Sequence, residues 1–308
     1  VNERQLQILR EVGELGSVTA AAEALTMTPS AVSQQLRLLQ RPIPVPLTER
    51  DGRRLVLTDA GRALAGAAIE VETALARARS VVEEFVERPD ADVSVAAFHS
   101  AAAAFFPLLL RRSGPGRPRL TLADEDVAQD EFPRLTRDHD LVLAHHLGHA
   151  SPWPDTVVAR PLLREPLDVA LPGDHPLAAK RRLTPYDVVD EPWISVHEGF
   201  PLSAVIDAIA AAANRPLAVV HRINDLAVAA EVVVASGGLA LMPRWTTRAH
   251  PGMVLRPLSG VRTRRHIDVL HRPERAARRA VRAVLSDLRR AAATIQDDEH
   301  RDPAPVTG

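Results

Sequence analysis

The 308-residue chain contains no cysteine, which excludes disulfides and thiolate metal centres. It has no apolar run of about twenty residues and no signal-peptide pattern, so the expected location is the reducing cytoplasm, with no membrane partner. Lysine is almost missing: Lys180 is the only one among 38 basic residues, a bias that reflects genome composition rather than chemistry. Basic and acidic side chains nearly cancel, to a net charge of −1. No global basic field therefore marks a nucleic-acid binder, and any such contact has to come from a local patch. Hydrophobic residues make up 46% of the chain, enough for two or three domains with separate cores.

Near the N-terminus, residues 17–39 read as two short helices joined by a tight turn. Ser17 and Thr28 each stand where a side-chain oxygen caps a helix start, and Pro29 takes the first helical position, where its missing N–H costs nothing. Val18, Ala21, Ala22 and Leu25 share one face of the first helix, and Val32, Leu36 and Leu39 one face of the second, so the pair can enclose a small core. The opposite face of the second helix offers Ser30, Ser33, Gln34 and Arg37, groups that hydrogen-bond base edges and phosphates in a major groove. An ordinary solvated face is the bland alternative for an isolated helix.

The following chain argues against that alternative. A proline-rich stretch, Pro42, Pro44 and Pro46, leads to two short strand patterns around Asp51-Gly52, a hairpin signal ringed by Arg50, Arg53 and Arg54. Such a hairpin is a wing able to grip phosphates. Thr58 then caps a helix predicted to run to about Arg88, about 40 Å long at about 1.5 Å per residue. Leu64, Ala68, Val71, Leu75, Ala78, Val82 and Phe85 follow a heptad stripe along it, which predicts a dimerisation rod. A homodimer would present two reading helices about a twofold axis, and its site on double-stranded DNA would be an interrupted inverted repeat.

Residues 2–88 resemble the DNA-binding domain and linker helix of LysR-type transcriptional regulators. Gln5-Leu6, Gly16-Ser17, Ala21-Ala22, Leu25, Pro29 to Leu39, Arg50, Gly52-Arg53-Arg54 and Leu57 to Gly61 carry the likeness. Family members usually have an acidic residue and a glycine turn after the reading helix, where this chain has Gln40 and the proline run, and phenylalanine at the position of Thr48.

From Asp92 onward short apolar runs alternate with helical patterns, which implies an α/β region with mostly parallel strands. Its order resembles the two-lobed, periplasmic-binding-protein-like effector domain of the same family, with Asp174 to Leu177, Glu191-Pro192-Trp193 and Gly238 to Pro243 matching. The expected fold is thus multidomain. A winged helix-turn-helix covers 1–58, a linker helix 59–90, the effector domain 91–294 and a disordered tail 295–308. Lobe I would hold 91–161 and 266–294, lobe II 162–265, with the last helix starting at Pro273 and crossings near Arg160-Pro161 and Arg265.

In such a fold ligands sit between the lobes, at strand ends and helix N-termini. That rule nominates His99, Ser100, His145, His146, Ser195, His197, Asn224 and Asp225, a set suited to a small anionic or polar effector. The resemblance further implies a regulator, with tetramers and RNA polymerase contact as extensions. Two other readings remain: a DNA-binding dimer that senses nothing, and an enzyme using the histidine-rich cleft. No nucleophile elbow, phosphate loop, metal motif or cofactor signature supports the enzyme, and no catalytic or metal residue is assigned.

Overall fold

The computed structural model describes residues 1–52, 54–85, 91–148 and 153–301, the side chains at 80, 83–85 and 298–301 excepted. Their contacts form two units, Val1–Arg88 with Arg272–Arg279, and Pro89–His271 with Ala280–Gly308.

The first unit holds α1 (Glu3–Leu15), α2 (Val18–Ala24), α3 (Pro29–Gln40), the hairpin β1 (Thr48–Asp51) and β2 (Arg54–Leu57), and α4 (Asp59–Phe85). Each expected cap is in place: Ser17 Oγ accepts from Ala20 N at 3.4 Å and Thr28 Oγ1 from Ala31 N at 3.2 Å. The apolar faces of the three helices meet in a core of Ile8, Val12, Ala21, Ala22 and Val32, and a second cluster joins Leu9, Leu39 and Leu47. Asp51 pairs with Arg54, so Asp51 ends the first wing strand and the turn begins at Gly52. Gly52 takes a φ of +58°, where a side chain would be strained. At the start of α4 a Cβ on Gly61 would lie 2.0 Å from the Leu47 carbonyl oxygen, so only glycine lets the helix approach the wing.

The proline run does not hang loose. Prolines donate no backbone hydrogen bond. Gln40 supplies what they lack: its Nε2 donates to the carbonyls of Ile43 at 3.0 Å and Val45 at 2.8 Å, and its Oε1 accepts from Leu47 N at 2.8 Å.

The second unit contains β3 (Asp92–Ala97), α5 (His99–Leu110), β4 (Arg119–Asp124), α6 (Phe132–Leu135), β5 (Leu141–Leu147), β6 (Val158–Pro172), α7 (Pro185–Val188), β7 (Pro192–Ser195), α8 (Ser203–Ala213), β8 (Ala218–Arg222), α9 (Leu226–Ser236), β9 (Leu239–Pro243), β10 (Met253–Pro257), β11 (Arg264–His271) and α10 (Arg279–Arg301). Strand order is β4-β3-β5-β11-β6-β9-β7-β8, with β10 also on β6. One lobe packs β3, β5 and β11 against α5 and α10, and the other packs β6, β7 and β9 against α8 and α9.

Several sequence expectations change here. The pairings are half antiparallel, because β11 runs against β5 and β6, and β6 against β9 and β10. β6 changes partners between Pro166 and Leu167, several residues after the expected crossing at Arg160-Pro161. Residues 167–171 read as a strand in the sequence, but the prolines hid the first part of β6; Pro161 pairs with Asp268 at a register shift, where a missing donor is tolerated. The last helix is broken at Arg278, whose ψ of 129° is extended. The turn before it, Pro273–Ala277, belongs to the first unit. The expected disordered tail is instead helical to Arg301, since α10 continues past residue 294; residues 302–308 lie outside the described ones.

Candidate functional site

In the first unit, Ser30, Gln34 and Arg37, with Leu38 at 44% exposure beside them, form one exposed face of α3, while Val32 and Leu39 on the other face are buried. Ser33 is half-buried, and Ser17 and Thr28 are committed as caps, Thr28 Oγ1 also lying 3.0 Å from Ser30 Oγ. Arg41, one turn beyond Arg37, is exposed as well and extends this face. Arg50 and Arg54 are exposed on the two wing strands, and Arg54 lies close to Gly16 at the end of α1. Arg53 lies outside the described residues. Four exposed guanidiniums, two hydroxyls and an amide make a surface that donates to phosphates and to base acceptors.

In the second unit a narrow cleft of about 30 Å³ is lined by Phe98, Ser100, His145, Phe200, Asn224 and Arg265, with His99 and Asp126 at its edge. Strand β3 delivers Phe98 and α5 begins directly after it, which places Ser100 in the first helical turn. Arg265 is fully buried beneath the cleft. Its Nε donates to Glu165 Oε2 at 3.0 Å, and its Nη2 to Ser100 Oγ at 3.0 Å and Thr246 Oγ1 at 2.6 Å, with the Phe98 ring 5.1 Å away. Glu165 also accepts from the backbone N–H groups of Trp245 and Thr246, at 2.7 and 2.6 Å. A buried charge pair so completely hydrogen-bonded is rigid.

His145 stacks beside Phe98 with ring centres 4.2 Å apart. Burial, then the Arg265 and His146 charges, hold its pKa well below the ordinary histidine value, so it is neutral near pH 7. Its Nδ1 is buried without a hydrogen-bond partner. Burial raises the Asp126 pKa, helped by Asp124 and Asp225 and opposed by His99, whose Nε2 and Nδ1 lie 3.1 and 3.5 Å from Asp124 and Asp126. The cleft thus presents a neutral imidazole, a hydroxyl and an amide between two phenylalanines. Among the described residues no group of three histidine or acidic side chains is arranged to hold a metal.

Two family models match the chain: the bacterial regulatory helix-turn-helix protein of the lysR family over residues 3–62, and the LysR substrate binding domain over residues 87–293. The chain belongs to the LysR family. This LysR-family protein is a DNA-binding transcriptional regulator with an effector-binding domain. It is 28% identical over 267 residues to the Hca operon transcriptional activator HcaR of Escherichia coli, across 83% of this chain and 87% of that protein. Its fold is similar to a full-length OxyR variant from Pseudomonas aeruginosa, with TM-score 0.60, 18% identity and coverage of 95% and 94% of the two chains. It is also similar in fold to CbnR in complex with its target DNA, with TM-score 0.51, 19% identity and coverage of 95% and 100%.

Of the effector residues nominated from sequence, the regulator's cleft brings together His99, Ser100, His145 and Asn224. The other four are placed elsewhere. His146 faces the opposite side of β5, since neighbours on a strand alternate, and its Nε2 meets Asp268 at 3.2 Å. Ser195 is buried at the end of β7, and the exposed side chain of His197 is not part of the lining. Asp225 caps α9, accepting from Ala227 N and Val228 N at 2.7 and 3.2 Å, which places a carboxylate where an anionic ligand was expected. Sequence reasoning missed Arg265 and Glu165 as site residues. A charged pair on two strands that neighbour each other in the sheet but lie 100 residues apart in the chain leaves no local signal.

The regulator's linker helix also departs from the expected seam. Ala68 is 0% exposed and Leu64 packs on Leu9, Leu39 and Leu47, so both are spent inside their own unit, and Leu75 is half-buried. Val71, Ala78 and Val82 are exposed as a seam requires, the two valines at 40% and 63%. The exposed apolar stripe runs through Ala67, Val71, Ala74, Ala78 and Val81, one position earlier at alternate sites. The Phe85 side chain lies outside the described residues.

Proposed function

We propose that this regulator acts in the cytoplasm as a homodimer, paired along the Ala67 to Val81 stripe of α4. It binds an interrupted inverted repeat with Ser30, Gln34 and Arg37 toward the bases and Arg50 and Arg54 on phosphates. The observation that carries the reading is the division of α3 into one buried apolar face and one exposed face that, Leu38 apart, consists of groups able to hydrogen-bond DNA. Its effector is a small polar molecule held by His145, Ser100 and Asn224 when the lobes part, because the cleft of about 30 Å³ as it stands has room for about one water. The unpartnered His145 Nδ1 supports that, because a buried polar atom left alone costs about 1–3 kcal/mol until something bonds it.

The test compares two variants on operator and random DNA. Arg37→Ala should weaken operator binding by about 1–3 kcal/mol and relax preference at one base position, whereas Arg50→Ala should weaken all DNA and reduce the salt slope by about 1. Equal losses on random DNA from both would overturn the assignment. A second reading, a regulator whose cleft is closed by its own side chains, has one observation in its favour: Arg265 already occupies the Ser100 hydroxyl. A screen of small polar molecules for a raised melting temperature, lost in His145→Ala, separates the two.

A further inference from the structure

A larger cavity, about 580 Å³, lies in the same unit where β6 and β11 pass between the lobes. It is not the effector cleft. Arg265 lines the cleft from β11, whereas Arg264 and His266, its neighbours on that strand, point to the other face and line the cavity.

Arg182, Arg244, Arg262 and Arg264 line it together with His266. The one carboxylate in the lining is Asp168, and both of its oxygens accept from Arg244, at 2.6 and 2.7 Å. Arg182, Arg262 and Arg264 have no carboxylate partner among the described residues, so three guanidinium charges face the cavity uncompensated. Protonation of His266 is disfavoured by burial, then by the His146 and Arg164 charges, and favoured by Asp268. Leu258 and Val261 supply an apolar wall. The volume falls within the range of about 300–1,000 Å³ usual for small-molecule sites. Guanidinium forks match the paired oxygens of phosphate and carboxylate groups.

We propose that this cavity is a second ligand site, taking a small oxyanion that carries two or more negative charges. Gly148 and His266 come from one lobe and Arg182 and Arg244 from the other, so a bound anion bridges the lobes. It also couples to the effector cleft, because Arg264 and His266 flank Arg265 on one strand. Ligands that favour one lobe arrangement influence each other's affinity reciprocally.

Calorimetric titration of the full chain with pyrophosphate, at fixed ionic strength, tests this. Arg182→Ser combined with Arg264→Ser should weaken binding at least tenfold, and both residues are exposed, so the variant should keep the wild-type melting temperature. Arg262→Ser alone should weaken binding in the same direction if the double variant proves unstable. Arg37→Ala with Arg50→Ala, which removes the reading-head cations, and His145→Ala, in the cleft, should leave the affinity unchanged. No binding at millimolar pyrophosphate, an unchanged affinity in the cavity variants, or a loss in the reading-head variant would overturn the proposal. A loss of pyrophosphate affinity in His145→Ala would overturn it too, whereas failure of the cleft reading shows only in the melting-temperature screen.

Discussion

Glu72 shows how a single side chain records an unbalanced neighbourhood. Within the first unit Arg10 and Arg272 face Glu11, Glu14, Glu72 and Glu274, with Arg272 Nη1 2.7 Å from Glu11, Arg10 Nη2 3.2 Å from Glu274, and Arg10 paired directly with Glu72. Burial, then repulsion from Glu274 and Glu11, outweighs Arg10 and Arg272 and raises the Glu72 pKa from 4.5 to about 7. Between those pH values the folded state holds a proton that the unfolded chain has released, so stability falls as pH rises through this window. The urea midpoint followed by far-ultraviolet circular dichroism should decline accordingly, and Glu72→Gln, fixed in the neutral form, should flatten the decline. None of this was legible in sequence, because Arg272 and Glu274 lie about two hundred residues from Glu72. The caps at Ser17 and Thr28 were legible, since a cap acts on residues two or three positions away. Gln40 falls between: its departure from the family pattern is visible, but its three bonds to the proline loop depend on how that loop folds back.

The elements divide in the same way. A heptad stripe on α4 states that one face is apolar, not what covers it. An α-helix turns by 3.6 residues, so a stripe written at 3.5 drifts around it, and here the early part of the stripe turns into its own unit. Val71→Asp should therefore leave the monomer folded and halve the sedimentation mass, since its position is 40% exposed in one chain. Ala68→Asp buries a charge at a fully covered position and should unfold the first unit, seen as lost helical signal at 25 °C. Equal masses for Val71→Asp and wild type would contradict pairing along this face. On β5 parity does the sorting: His145 and His146 look equivalent in sequence, yet one enters the cleft and the other meets Asp268.

At the scale of the molecule, two strands decide the effector domain. β6 and β11 serve both lobes, and the Glu165 and Arg265 pair ties them to α5 and to the loop after β9 through Ser100 and Thr246. Both are fully buried, at 0% and 1% exposure. Glu165→Gln should cost about 3–5 kcal/mol in urea unfolding followed by tryptophan fluorescence, because it strands a buried guanidinium. Adding Arg265→Met should recover most of that loss, and additive losses would show that the pair itself is not the unit. The sequence by itself determined what local spacing can encode: the caps, the polar face of α3, the wing hairpin, and the alternation that implies an α/β domain. Tertiary structure alone decided which face of α4 is open, which histidine enters the cleft, and that Arg265 donates to Ser100 beside it. Those choices depend on residues distant in sequence meeting across the sheet, and periodicity carries no record of such meetings.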